Sequence, residues 1–347
     1  MTVGELTPEW LTAALSERSP GTVVEAVELE SVIWGTATKA LLTVRYAERP
    51  TDGPPEALCV KGGFQAELRA VAGVGYRQEA AFYRDIAPML EGVPLPPCWY
   101  ADVDEDADQG LVVSDDLRAE QVSFGRAGMR YTVDEVAAAL EVQAAWHART
   151  WGAADLPSWL TLGSPFFRHA MAQLFFQPEH WARMLELPQT ACLPDKLRDR
   201  ERVQAGLRAQ YAREDAAVPC LAHGDAHIGN TYRVPGEPAP RFLDWQVLGR
   251  NPWSVDVPYF MVGALTVEDR QREEERLLRH YLDALAGHGA PAPDFDAAME
   301  ACRAHHLHGV MWGFCPPEMQ DPDDCAEMAR RHVQAAVDHD TLEVLGV

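Results

Sequence analysis

The densest chemistry in the chain lies in one short string, His223-Gly224-Asp225-Ala226-His227-Ile228-Gly229-Asn230, which spells H-G-D-x-H-x-x-N. Asn230 follows Asp225 by five residues, and Asp244, within Leu243-Asp244-Trp245-Gln246, follows it by 19. A carboxylate, a carboxamide and a second carboxylate suit phosphoryl transfer. That reaction needs one carboxylate to orient a hydroxyl nucleophile, and an amide oxygen with a second carboxylate to hold Mg²⁺. The alternation His223-x-Asp225-x-His227 admits a different reading, as the converging ligands of a metallohydrolase. It leaves Asn230 without a role, and with it two charged residues upstream: Lys61, which ends the apolar run Ala57-Leu58-Cys59-Val60, and Glu79.

Elements to position these groups can be read from periodicity. Thr7-Pro8-Glu9 opens a short helix that stops near Pro20-Gly21. Residues 23–34, 39–46 and 58–61 are rich in Val, Leu and Thr and are separated by Gly35 and the Pro/Gly stretch 50–55, the texture of antiparallel strands. A helix is expected over 76–86, ended by Pro88, with an inward stripe of Glu79, Phe82, Tyr83, Ile86 and Leu90. A carboxylate on that apolar stripe requires a cationic partner, because an unpaired buried charge is severely destabilising. Two more strands, 99–103 and 111–113, flank the acidic loop 102–108. Beyond residue 117 the texture is helical, with capping-box patterns at Thr132-Val133-Asp134-Glu135 and Thr266-Val267-Glu268-Asp269. Only the region around the H-G-D string interrupts it.

Composition narrows the class. A chain of 347 residues with 47% hydrophobic and 24% charged residues has material for two packed domains. Its formal net charge of −23 repels phosphate backbones and anionic bilayers, so neither a nucleic acid nor a membrane is expected as partner. Seven scattered cysteines without a C-x-x-C pair form neither a disulfide framework nor a zinc ribbon. Residues 1–20 lack the basic start and apolar core of a secretory signal, which makes a cytoplasmic location the expectation.

On its H-G-D-x-H-x-x-N string the chain resembles the aminoglycoside phosphotransferase and choline kinase-like superfamily, the small-molecule branch of the protein-kinase-like fold. A finer likeness, to the ecdysteroid kinase-like group, is carried by Leu6-Thr7-Pro8-Glu9-Trp10-Leu11, Glu79-Ala80-Ala81-Phe82-Tyr83, Val112-Val113-Ser114-Asp115-Asp116-Leu117, His147-Ala148 and Asp244-Trp245-Gln246. The resemblance implies a bilobal α+β fold. An N-terminal nucleotide-binding lobe, 1–113, would hold an antiparallel sheet plus one helix, behind a leading helix in 1–20. A hinge, 114–117, would lead to a mainly helical C-terminal lobe, 118–347, with the catalytic loop in 221–246 and acceptor-binding helices.

The same resemblance implies ATP and Mg²⁺ as cofactors and a small-molecule hydroxyl as phosphate acceptor: an alcohol, an amino sugar or a similar metabolite or antibiotic. Asp225 would position or deprotonate that hydroxyl, with His227 donating to the transferred phosphate. Asn230 and Asp244 would hold Mg²⁺, and His223 and Asp256 would brace the catalytic loop. Lys61, Glu79, Gly35, Thr36 and Asp115 would serve the nucleotide, with Lys61 as the cation that Glu79 requires. Only one glycine stands in 31–41, where the phosphate-covering turn is expected, which leaves open a nucleotide-binding scaffold without turnover. A monomer or homodimer is expected. His305, His306 and His308 read as surface or packing residues, since their spacing does not gather three rings on one helix face. Trp159, Phe166, Phe167, Phe175, Phe176, Trp181, Trp312 and Phe314 read mainly as core, a fraction of them lining an acceptor pocket.

Overall fold

The computed structural model describes the whole chain except residues 36, 165–167, 170 and 171. Thr36, Phe166 and Phe167, singled out above, therefore lie outside the described residues. The chain divides into two compact units. One is Met1–Val122 together with Leu243–Gln246, and the other is Ser123–Phe242 together with Val247–Val347.

The first unit is built on a five-stranded sheet. Strands β1 (Val23–Ile33), β2 (Thr38–Glu48), β3 (Ala57–Gly62), β4 (Cys98–Asp104) and β5 (Gln109–Asp115) lie in the order β1-β2-β3-β5-β4. Every pairing is antiparallel. Helix α1 (Pro8–Ser16) starts where Thr7 accepts the Trp10 N–H, and its Leu11 and Leu15 join Leu42, Leu58, Val60 and Val113 in one core. Leu58, Val60 and Gly62 are the buried positions of β3, so its two-residue period turns Lys61 away from that core.

Helix α2 (Ala66–Ala81) corrects the expected start at residue 76 by ten residues. Near its middle it carries Gly73 and Gly75, of which Gly73 leaves no room for a side chain. A Cβ on Gly73 would lie 2.8 Å from the Asp108 Cβ, and one on Gly75 would lie 3.4 Å from the Gln246 Cβ. The expected stripe of Glu79, Phe82, Tyr83, Ile86 and Leu90 is buried throughout. After Ala81 the helix widens into a π turn over Phe82–Ile86, followed by a 3₁₀ turn over Ala87–Met89.

The second unit is mainly helical. Helix α3 (Val133–Arg149) opens on a complete capping box, with Thr132 and Glu135 each bonding the other's backbone N–H. It packs against the helix Val267–Gly287. There the second expected box is only half formed: Thr266 accepts the Asp269 N–H, while the shorter Asp269 carboxylate bonds the Thr266 hydroxyl instead of reaching back to the backbone. Phe175, Phe176, Trp181 and Phe314 lie in a core shared with Leu307, Val310 and Val333. Among the described residues no helix is long and apolar enough to cross a membrane.

Candidate active site

Two groups of side chains, one in each unit, hold the residues singled out by sequence. In the first unit Lys61 extends from β3 to the carboxylates of Glu79 on α2 (Nζ–Oε1 2.8 Å) and Asp244 (Nζ–Oδ1 3.0 Å). Burial alone would lower the Lys61 pKa, but Asp244 and Glu79 outweigh it and hold the ammonium well above its ordinary value. Gln246 donates to the other Glu79 oxygen at 3.3 Å, and Trp245 stacks flat on Phe82 with ring centroids 4.2 Å apart. Asp244 itself adopts φ +68°, the left-handed region that few non-glycine residues occupy. Glu79, Phe82 and Lys61 thus fix three consecutive residues, 244–246, and with them a strained backbone.

Gly35 is exposed, and a Cβ there would meet nothing closer than Ala37 O at 3.5 Å, so packing does not demand glycine. Asp115 is buried at the end of β5, where its Oδ1 accepts the Trp99 indole N–H at 2.6 Å. That carboxylate is engaged within the fold.

In the second unit the H-G-D string follows the strand Cys220–Ala222. Gly224 sits at φ +83°, and a Cβ would lie 2.4 Å from Val247 O, so both conformation and space require glycine. Asp256 braces the turn from behind. Fully buried, it accepts the N–H of His223 (2.7 Å) and of Gly224 (2.9 Å) and bonds His147 Nε2 (3.2 Å). Burial would raise the Asp256 pKa, yet these donors and the His147 and His223 rings keep it below the usual carboxylate value. The other His147 nitrogen meets the Tyr281 hydroxyl at 2.9 Å, which makes His147 a fully satisfied core residue. His223, also fully buried, accepts the Asp225 N–H at Nδ1 (3.3 Å).

Asp225 presents a partly exposed carboxylate held at both oxygens. Asn230 Nδ2 donates to Oδ2 at 3.1 Å and to the Asp225 carbonyl at 2.9 Å, and the Tyr259 hydroxyl donates to Oδ1 at 3.1 Å. Because Asn230 uses its NH₂ on Asp225, its carbonyl oxygen is directed elsewhere, as a hard-cation ligand must be. His227 accepts the Gly229 N–H at Nδ1 (3.0 Å), so a neutral ring carries its proton on Nε2, which faces Asp225 Oδ2 at 3.6 Å. Burial would push the Asp225 pKa up; the His227, His223 and His308 rings draw it down to about 2. Near neutral pH Asp225 is therefore a carboxylate.

The metallohydrolase reading required His223, Asp225 and His227 to converge on one ion. Among the described residues no three His, Cys, Asp or Glu side chains do so. His305 and His306 are packing residues rather than surface ones: both are buried, and His305 bonds Glu214 at 2.9 Å. Sequence reasoning missed three contributors. Neither Gln246 nor Tyr259 carries a local signal of its contact. Trp312 is core as expected, and its donation to Tyr259 is the part with no sequence signal.

An antiparallel sheet packed by α1 and α2, a helical unit and an H-G-D loop braced from behind by an aspartate define a protein-kinase-like fold. Its structural match to spectinomycin phosphotransferase APH(9)-Ia, determined with ADP and spectinomycin, has a TM-score of 0.52 at 10% identity and covers 97% of this chain and 99% of that one. Weaker matches include macrolide 2′-phosphotransferase MphH from Brachybacterium faecium (TM-score 0.43, 19% identity, 88% and 91% covered). A microcompartment-associated aminopropanol kinase is another (TM-score 0.48, 12% identity, 92% and 94% covered). A comparison with curated proteins returns no match. The profile of the ecdysteroid kinase-like family matches residues 69–290, and the chain belongs to that family.

Proposed function

We propose that this chain is an ATP- and Mg²⁺-dependent kinase that transfers the γ-phosphate to a hydroxyl of a small, partly apolar molecule. The observation that carries this reading is the hold on Asp225: an ionised carboxylate fixed at both oxygens, with Asn230 tied to it through the NH₂ and its amide oxygen left for another ligand. Asp225 would accept the acceptor's hydroxyl proton as the oxygen attacks phosphorus. Lys61, oriented by Glu79, would bind the nucleotide phosphates. His227 Nε2–H supplies a donor next to Asp225 for the transferred group.

The residues fit Mg²⁺. Asn230 Oδ1 and the Asp244 carboxylate are hard oxygen ligands of the kind that ion prefers, and the bound ion would neutralise phosphate charge. The acceptor class is supported by the aromatic content of the helical part and by the likeness to the ecdysteroid kinase-like family, which favour a partly apolar alcohol.

A screen of steroid-like and polyketide alcohols, choline-like amines and amino sugars, read as mass gain of one phosphate, tests the proposal. Asp225→Asn should lower turnover about 10²–10⁴-fold while nucleotide binding persists. Undiminished turnover in that variant would rule the mechanism out. Tight ATP binding with no acceptor phosphorylated across the screen would identify a scaffold instead.

A further inference from the structure

We infer that Tyr259 and Trp312 form a one-way hydrogen-bond relay that positions the Asp225 carboxylate; the inference rests on the proposed role of Asp225 as the group that receives the acceptor proton. The relay runs Trp312 Nε1 to Tyr259 Oη at 2.8 Å and Tyr259 Oη to Asp225 Oδ1 at 3.1 Å. Its direction follows from the atoms. An indole N–H only donates, so the tyrosine oxygen must accept from it. An ionised carboxylate only accepts, so the single tyrosine proton must point at Asp225. No tautomer or rotamer choice reverses this order.

Three neighbours sharpen the point. His332 stacks on Tyr259 with centroids 5.1 Å apart, and His308 meets its ring edge-on at 4.8 Å. Burial keeps the His332 pKa well below its ordinary value, and burial together with His305 lowers that of His308 to about 4. Near neutral pH both rings are uncharged, so they pack the tyrosine without competing for the carboxylate. Burial and the Asp225 charge hold the Tyr259 hydroxyl well above its ordinary pKa, so it keeps its proton near neutral pH. Cys315 is buried in the same apolar cluster as Tyr259 and Trp312.

The consequence is orientational. A carboxylate turns about a broad, two-fold torsion. Asn230 holds Oδ2 and Tyr259 holds Oδ1, on opposite ends of the group, so the plane is set before an acceptor arrives. Tyr259 and Trp312 thus act through Asp225 as positioning residues.

The test uses the full chain. With ¹⁵N-labelled protein, Trp312→Phe identifies its indole resonance among those of the ten tryptophans. Asp225→Asn should move that resonance in the native background and leave it unmoved when Tyr259 is Phe, because the hydroxyl transmits the change. Kinetically, Tyr259→Phe should lower kcat about tenfold with the acceptor KM within about twofold, and Trp312→Phe should lower kcat about threefold. The double variant should be no slower than Tyr259→Phe alone. An indole resonance insensitive to Asp225→Asn, additive losses, or losses that appear in KM would overturn the relay. If Tyr259→Phe fails to fold, the indole response to Asp225→Asn still decides. The resonance needs no turnover, so a relay can stand where the proposed activity fails, and the reverse.

Discussion

At the level of single residues, the site is governed by which buried charges have partners. Lys61 and Glu79 are almost wholly removed from water, a situation that is tolerated only when opposite charges and donors replace the lost hydration. Asp256 shows the same rule at the back of the loop, where two backbone N–H groups and His147 surround one carboxylate. Its folded pKa lies below the unfolded value of about 3.9, so its stabilisation is fully present above pH ~4 and is lost as the pH falls through the folded pKa. Asp256→Asn keeps the volume and removes the charge, and it should cost about 1.5–3 kcal/mol near neutrality. Urea titrations at about pH 6 and about pH 3 should show the native chain losing more stability on acidification than the variant. Equal losses would remove Asp256 from this role.

At the level of elements, the two-residue period of β3 and the widened turn after α2 do the positioning. The strand sends Leu58 and Val60 into the core beneath α1 and Lys61 to the other face, towards Glu79. The π turn over Phe82–Ile86 presents the Phe82 ring to Trp245, which holds the residue next to Asp244. Such turns inside helices recur where a side chain must be re-aimed for function. Phe82→Ala should therefore do more than leave a cavity worth about 3–5 kcal/mol. It should also weaken Mg²⁺-nucleotide binding about tenfold by loosening 244–246. Leu42→Ala, a core deletion on the other face of the sheet, should lower stability without that loss. Calorimetric titration of both variants with Mg²⁺ and a non-hydrolysable ATP analogue would separate the two effects, and equal affinities would refute the positioning role of Phe82.

For the whole molecule, ligand and folding equilibria are linked. Mg²⁺-nucleotide at about 100 times its Kd should stabilise the chain by about 2.7 kcal/mol, an increment read as a rise in Tm. Chelating Mg²⁺ or substituting Asp244→Asn should remove most of that rise, and an undiminished rise in the variant would exclude Asp244 as a metal ligand. Much of this organisation was legible in the chain itself. The strand runs, the Thr132 capping box and the H-G-D-x-H-x-x-N string are local patterns, written within a few residues by pleat, helical pitch and hydrogen-bond reach. They determined the fold class and the residues on which a mechanism can be proposed. The tertiary structure alone decided the rest: that α2 begins at Ala66, that its Gly73 lies against Asp108, and that its end opens into a π turn. It also brought Asp244 to Lys61 across 183 positions and Trp312 to Tyr259 across 53. Contacts at such separation leave no periodic trace, because packing complementarity, not the spacing of neighbours along the chain, selects them.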